Sequence, residues 1–408
     1  MSVPTIQVLV GFQQTAGFGN PFQLNNATYG LLDTGTLGGV QLVDLTSMAE
    51  NITITRGRNR ELEQFNAGTA AIRFSDPTRI LDPLNTASPY YPFVGPRNPV
   101  EVYADGIPIF TGVVGDWDLD YGYTAEGNVT TATCSDVFTV LARQAMNAWT
   151  PTAQLSGARV AAVLSRPEII YQGGTSISDG VSTLGAYAVP EAQNVLQYLQ
   201  NVTASEQGYL FIAADGTLTF RDRSDALNPS PTIAFTDDGT GVRYQTLTNE
   251  YGDELLYNYI QTQSPAGAVQ TASDADSIAL YQAQQYSKLD LLNSTTAEVA
   301  GLGDYLLGRY ANPVVRFTGI TTQLAALDPA HQANVLGTDL TDIVSVLKTF
   351  SGGTPSSVTQ TLITSGVQHE IRPGSHVVRF TFESTDGNAY LTLDNTIFGT
   401  LDNNLLAF

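Results

Sequence analysis

The stretch PVEVYADGIPIFTGVVGDW, residues 99 to 117, decides how the rest of the chain reads. Val100 and Val102 alternate with polar neighbours, Asp105-Gly106 is a pair suited to a two-residue hairpin turn, and residues 107 to 114 return. Antiparallel β structure is therefore expected. Pro108 has no N–H to give a ladder and marks an edge or a bulge in the returning strand.

Upstream, Ile52 and Ile54 alternate with Thr53 and Thr55, a second strand signal. Residues 76 to 99 hold Pro77, Pro83, Pro89, Pro92, Pro96 and Pro99, whose fixed φ restricts the chain to extended and turn conformations. This segment reads as an ordered arm, with Tyr90, Tyr91 and Phe93 as apolar anchors toward a partner.

Downstream the period changes near residue 135, where Ser135 or Asp136 is placed to cap a helix carrying Val137, Phe138, Leu141 and Met146. A longer helix is expected from Pro190 through Val195, Leu196, Leu199 and Val202 to Gly208, followed by a hairpin about Asp215-Gly216. Residues 224 to 240, rich in Pro, Asp and Gly, read as a linker. Strands resume around 242 to 248 and 255 to 261. A helical interruption over 273 to 310 follows, then strands at 314 to 324, 342 to 350, 357 to 371 and 375 to 383. Leu393-Asp394-Asn395 returns as Leu401-Asp402-Asn403, which reads as part of a docking tail.

Composition narrows the function. With 408 residues the chain should hold several cores, yet only 14% of it is charged, and 48 threonines supply much of the polar surface. Uncharged polar groups cost less to desolvate than ions, so large permanent interfaces fit, as does an exposed β-protein. The 39 acidic against 18 basic residues give −21, which argues against binding nucleic acid through phosphate neutralisation. Of the basic residues 16 are Arg, and Lys288 and Lys348 are the only lysines. Cys134 stands alone, which excludes an intrachain disulfide and a Cys-rich metal site. No stretch approaches the apolar length of a membrane span, so no membrane span is expected.

Enzyme signatures fail in turn. There is no P-loop, no Gly-x-Ser-x-Gly elbow and no His-Glu-x-x-His, so no catalytic residue, cofactor or metal is expected and the chain reads as a non-enzyme. His369 and His376 read as the two ends of a strand pair joined by Arg372-Pro373-Gly374-Ser375. Asp116, Asp118 and Asp120 alternate with Trp117, Leu119 and Tyr121, which puts three carboxylates on one face of a strand. Arg56, Arg58 and Arg60 also alternate. With Arg73, Arg79 and Arg97 they form either a solvated face or, the preferred reading, forks that pair with carboxylates at a subunit or neighbour interface. On that reading, reversing charge at Arg58 and Arg60 blocks assembly and leaves the monomer folded.

The stretch ITITRGRNRELEQFNAGTAAIRFSDPTRILDPLN, residues 52 to 85, resembles minor tail proteins of long-tailed phages, as do residues 99 to 117, 133 to 143, 206 to 223 and 366 to 383. The resemblance implies a mainly β chain with α+β parts, built as a tail-tip hub and assembled as a homotrimeric ring. Residues 1–130 would be a first hub β-barrel with the Pro-rich arm 76–99, and 131–225 an α+β module. Residues 226–384 would be a second barrel split by a helical insert at about 271–311, and 385–408 the docking tail. It further implies a virion protein of the tail tip, made in the host cytoplasm. Its implied partners are a distal tail or tail tube ring, the tape-measure protein and other minor tail or fibre proteins, with DNA only a transient passenger. A receptor- or carbohydrate-binding adhesin, a distal ring protein and a cell-wall hydrolase remain alternatives.

Overall fold

The computed structural model describes residues 2–13, 40–171, 173–223, 230–265 and 267–385; the docking tail expected beyond Thr385 lies outside them. Seven strands come first: β1 (Ile6–Gln13), β2 (Val40–Asp44), β3 (Ala49–Gly57), β4 (Asn66–Ser75), β5 (Pro99–Ala104), β6 (Ile107–Asp120) and β7 (Val129–Ser135). They lie antiparallel in the order β2-β1-β5-β6-β7-β4-β3. Alternation selects the buried face: Ala70, Ile72 and Phe74 of β4 point inward while Thr69, Ala71 and Arg73 face out. Asp105 and Gly106 both take positive φ, 49° and 79°, the geometry a tight hairpin requires. A register shift between Val102 and Tyr103 places the expected irregularity opposite Pro108.

Next comes a mixed segment: α1 (Phe138–Leu141), β8 (Ala145–Met146), β9 (Gln154–Leu155), α2 (Ser156–Leu164), β10 (Thr175–Ile177), β11 (Thr183–Leu184), β12 (Gln193–Asn194), α3 (Val195–Glu206), β13 (Tyr209–Ile212) and β14 (Leu218–Arg221). The first helix is shorter than expected, and Met146 belongs to a strand. Asp136 does turn the chain there, its carboxylate accepting from the N–H groups of Phe138 at 2.9 Å and Gly68 at 2.5 Å. The second helix starts later than Pro190, at an Asn194 cap that accepts from Gln197 N–H. Gln207, in the left-handed region at φ 57°, ends it just before Gly208.

The remaining strands are β15 (Ile233–Thr236), β16 (Val242–Arg243), β17 (Thr246–Glu250), β18 (Tyr259–Thr262), β19 (Gln270–Ser273) and β20 (Gln285–Lys288), then β21 (Arg316–Gln323), β22 (Ile343–Thr349), β23 (Ser357–Arg372) and β24 (Ser375–Ser384). Helices α4 (Ala275–Tyr281), α5 (Thr296–Tyr310) and α6 (Pro329–Gly337) interleave with them. The stretch read as a linker contains β15, whose Ile233 and Phe235 are buried. The interruption is not purely helical: α4 and α5 join a separate sheet, β19-β18-β20, with its own core of Ile260, Leu291, Val299, Leu302, Leu306 and Tyr310. A capping box between Thr295 and Glu298 starts α5.

The last seven strands outside that small sheet run in the order β16-β15-β22-β23-β24-β21-β17. Numbered within its own group, this is the order of the first seven, so the chain contains one strand order twice. The five strands β5-β6-β7-β4-β3 and their counterparts β22-β23-β24-β21-β17 are antiparallel throughout; only β15 departs, running parallel to both neighbours. Even the bulges correspond: β6 slips against β7 between Val114 and Asp116, and β23 against β24 between Thr364 and Gly366. Among the described residues neither group closes its ladder into a hydrogen-bonded barrel. The two groups share one sheet through β3 and β23, paired from Gly57↔Gly366 to Ile52↔Ile371.

Candidate functional site

The arginines of residues 56 to 60 separate at the end of β3. Arg56 keeps the inward face of Ile52 and Ile54, is 5% exposed, and meets Asp339 at 2.7 Å. Asp339 also accepts from Ala214 N–H, so Asp339 ties both the first strand group and the mixed segment to the second group. Arg58, one residue past β3, makes a two-pronged pair with Glu383 of β24, at 2.6 and 2.5 Å, and donates to the Glu63 carbonyl. Its guanidinium lies 4.8 Å from the Phe65 ring centroid and 5.5 Å from that of Tyr209. Burial opposes the Arg58 charge, but Glu383, Tyr209 and Glu61 together outweigh it and hold the guanidinium above its ordinary value. Alongside, Glu61 accepts from Arg309 of α5 and from the Tyr310 hydroxyl at 2.8 Å, and Arg309 also reaches the Ser384 carbonyl. Four parts of the chain meet at this cluster.

Arg56 and Arg58 thus find their carboxylates inside the chain, and charge reversal at Arg58 would unbalance a buried pair instead of leaving the monomer folded. Arg60 differs: it is largely exposed and pairs with exposed Glu254 at 2.8 Å. Arg73 faces Glu50 at 3.5 Å on the surface. Arg79 pairs with Asp82 within the arm and lies 5.3 Å from the Tyr121 ring centroid. The arm itself packs down: Tyr90 stacks on Phe12 with centroids 4.5 Å apart, Phe93 joins the core, and Tyr91 and Leu84 stay exposed. Asp116, Asp118 and Asp120 are all exposed along the distal half of β6, while Trp117 turns toward Phe74 and donates to the Gly95 carbonyl.

Sequence reasoning missed a groove of about 250 Å³ of mixed character, lined by threonines such as Thr55, Thr246 and Thr381 together with Arg379, Val367 and Phe380. The abundance of threonine was its only trace. It also placed His369 and His376 at the ends of a hairpin without anticipating their contact, Nδ1 to Nε2 at 3.0 Å in a buried setting. Burial, then His376 and Arg56, hold His369 well below its ordinary value, and burial takes His376 down to about 4 despite Asp105. Both rings are neutral in the fold, whereas the unfolded chain takes up protons below about 6.5. Their contribution is therefore complete above that pH and is lost as pH falls toward about 4. Asp136, raised by burial to about 6, works in the opposite sense over an overlapping range. Replacing both histidines with Gln should flatten the fall of the thermal midpoint between about pH 6.5 and pH 4. Parallel curves for variant and parent would contradict the assignment.

Among the described residues no group of three His, Cys, Asp or Glu is arranged to hold a metal, and no helix is long and apolar enough to cross a membrane.

By sequence the chain matches no protein family and no curated protein. By structure it is similar to a tail protein from Neisseria meningitidis, with a TM-score of 0.57 and 13% identity over 84% of this chain and 94% of that one. It is similar to the 43 kDa tail protein of prophage MuSo2 from Shewanella oneidensis, TM-score 0.55 and 13% identity over 85% and 95%. The prophage tail protein gp18 from Listeria monocytogenes gives 0.51 and 10% identity over 93% and 95%. The chain thus has the fold of these phage tail proteins over most of its length.

Proposed function

We propose that this chain is a structural component of a phage tail tip, three copies of which form a ring. The observation that carries the reading is the repeated strand order on one chain, joined through a shared sheet, in a fold similar to phage tail proteins over most of its length. A chain with two copies of one unit lets three subunits present six similar units, which reconciles a threefold ring with a sixfold tube. The ring closes the tube, contacts the tube or distal ring above it, anchors the tape-measure protein and host-binding fibres, and opens as DNA leaves. Its work is mechanical, not catalytic. The three exposed carboxylates of β6 suit a passage that does not retain DNA. Electron microscopy of particles labelled with an antibody to this chain tests the placement: label at the tail end supports it, and label on peripheral fibres points to an adhesin.

A further inference from the structure

The repeat has a consequence for how copies join. Within the chain, β3 lies against the distal half of β23, from Gly366 to Ile371, beyond the stretch of β23 that pairs with β22. The counterpart of β3 is β17, and the counterpart of β23 is β6. Among the described residues β17 pairs only with β21, which leaves its other edge without a strand. Past Val114, whose N–H and carbonyl still bond Asn98 and Arg97, the distal half of β6 pairs among the described residues only with β7, and Asp116, Asp118 and Asp120 stand exposed there. Each group thus lacks the partner that its counterpart has.

We infer that β17 of one copy adds antiparallel to the distal half of β6 in the next copy, repeating between chains the joint that β3 and β23 make within one. The occupant of each free edge is a second copy of this chain. The register follows from the pairings. The matching bulges align Asp116 with Gly366, and hence Asp120 with Glu370. Thr133 and Thr381 then correspond, their partners Ala71 and Gly319 correspond, and so do Thr53 and Thr248. Since Thr53 faces Glu370, Thr248 of one copy faces Asp120 of the next. The contact is head-to-tail, so it generates a closed ring or a filament, and closure at three copies rests on the proposed ring. The joint brings Glu250 near the β6 carboxylates. Charges of one sign keep free edges from pairing indiscriminately, and salt relieves them.

Directly opposed residues in an antiparallel pair lie about 4.5–5.5 Å apart at Cα, within the span of a disulfide. The test is oxidation of the full chain carrying Thr248→Cys, Asp120→Cys or both, with buried Cys134 left in place. A mixture of the two single variants should give a covalent dimer that neither gives alone, and the double variant should give a covalent trimer. The cross-linked fraction should rise with salt. Dimers of Thr248→Cys alone, a trimer in solution that does not cross-link, or a chain that stays monomeric at high concentration would each overturn the joint. A non-cross-linking trimer still at the tail end in labelled particles would leave the tail-tip reading standing.

Discussion

Replacing Glu383 with Ala is expected to lower the stability of the chain by about 3–5 kcal/mol, the cost typical of removing one partner from a buried ion pair. The Glu383 side chain is 2% exposed and takes both prongs of the Arg58 guanidinium, itself 11% exposed and held between two aromatic rings. Once the carboxylate is gone, Arg58 keeps its charge, since a guanidinium does not deprotonate, and that charge stays buried without its partner. Arg58→Ala should cost a similar amount, and the double variant clearly less than the sum, because the second change removes the stranded charge. Denaturant midpoints for the three variants measure this. A loss below about 1 kcal/mol, the range of surface pairs, would show that the cluster is solvated.

Gly57→Ala is expected to cost roughly 2–4 kcal/mol and to loosen the seam between the two strand groups. Gly57 has φ +104°, outside the range comfortable for a side chain, and a Cβ there would sit 2.2 Å from the Ser365 carbonyl oxygen and 2.7 Å from Gly366 Cα. Both contacts are backbone atoms of β23, so relief requires β3 to move off its partner. Gly106→Ala separates the two costs: its φ is +79°, but a Cβ there meets nothing within 4 Å. That variant should lose only about 1–2 kcal/mol. Hydrogen exchange should quicken across residues 52 to 57 in Gly57→Ala and not in Gly106→Ala. Equal losses and unchanged exchange would mean that close packing at the seam is not what Gly57 provides.

How far the sequence could be read depended on the range of the interaction that shapes each element. The β5–β6 hairpin was legible because Asp105-Gly106 encodes its turn locally, and the strands flanking Gly374 were legible for the same reason. β15 was not: it has four residues in a Pro, Asp and Gly-rich neighbourhood, and it forms by pairing with β22, more than 100 positions away. Pro190 looked like a helix start, but the Asn194 side chain supplies the cap. The alternation of Arg56, Arg58 and Arg60 was ambiguous in principle. A strand continues the inward face of Ile52 and Ile54 through Arg56, and only the turn at Gly57 sends Arg58 and Arg60 different ways. The repeat of strand order left no mark in the sequence, since topology is carried by pairings between distant segments and not by residue identity.

The central claim is that two like units per chain build a threefold ring at the tail tip. Three-dimensional reconstruction of the tail end by electron microscopy, without imposed symmetry, tests it most directly. The account predicts three copies of this fold around the axis, their two strand groups alternating as six similar lobes, with β17 of each copy beside β6 of the next. Six copies would make the chain a distal ring protein, and copies confined to peripheral fibres would remove it from the tube axis; either result contradicts the account.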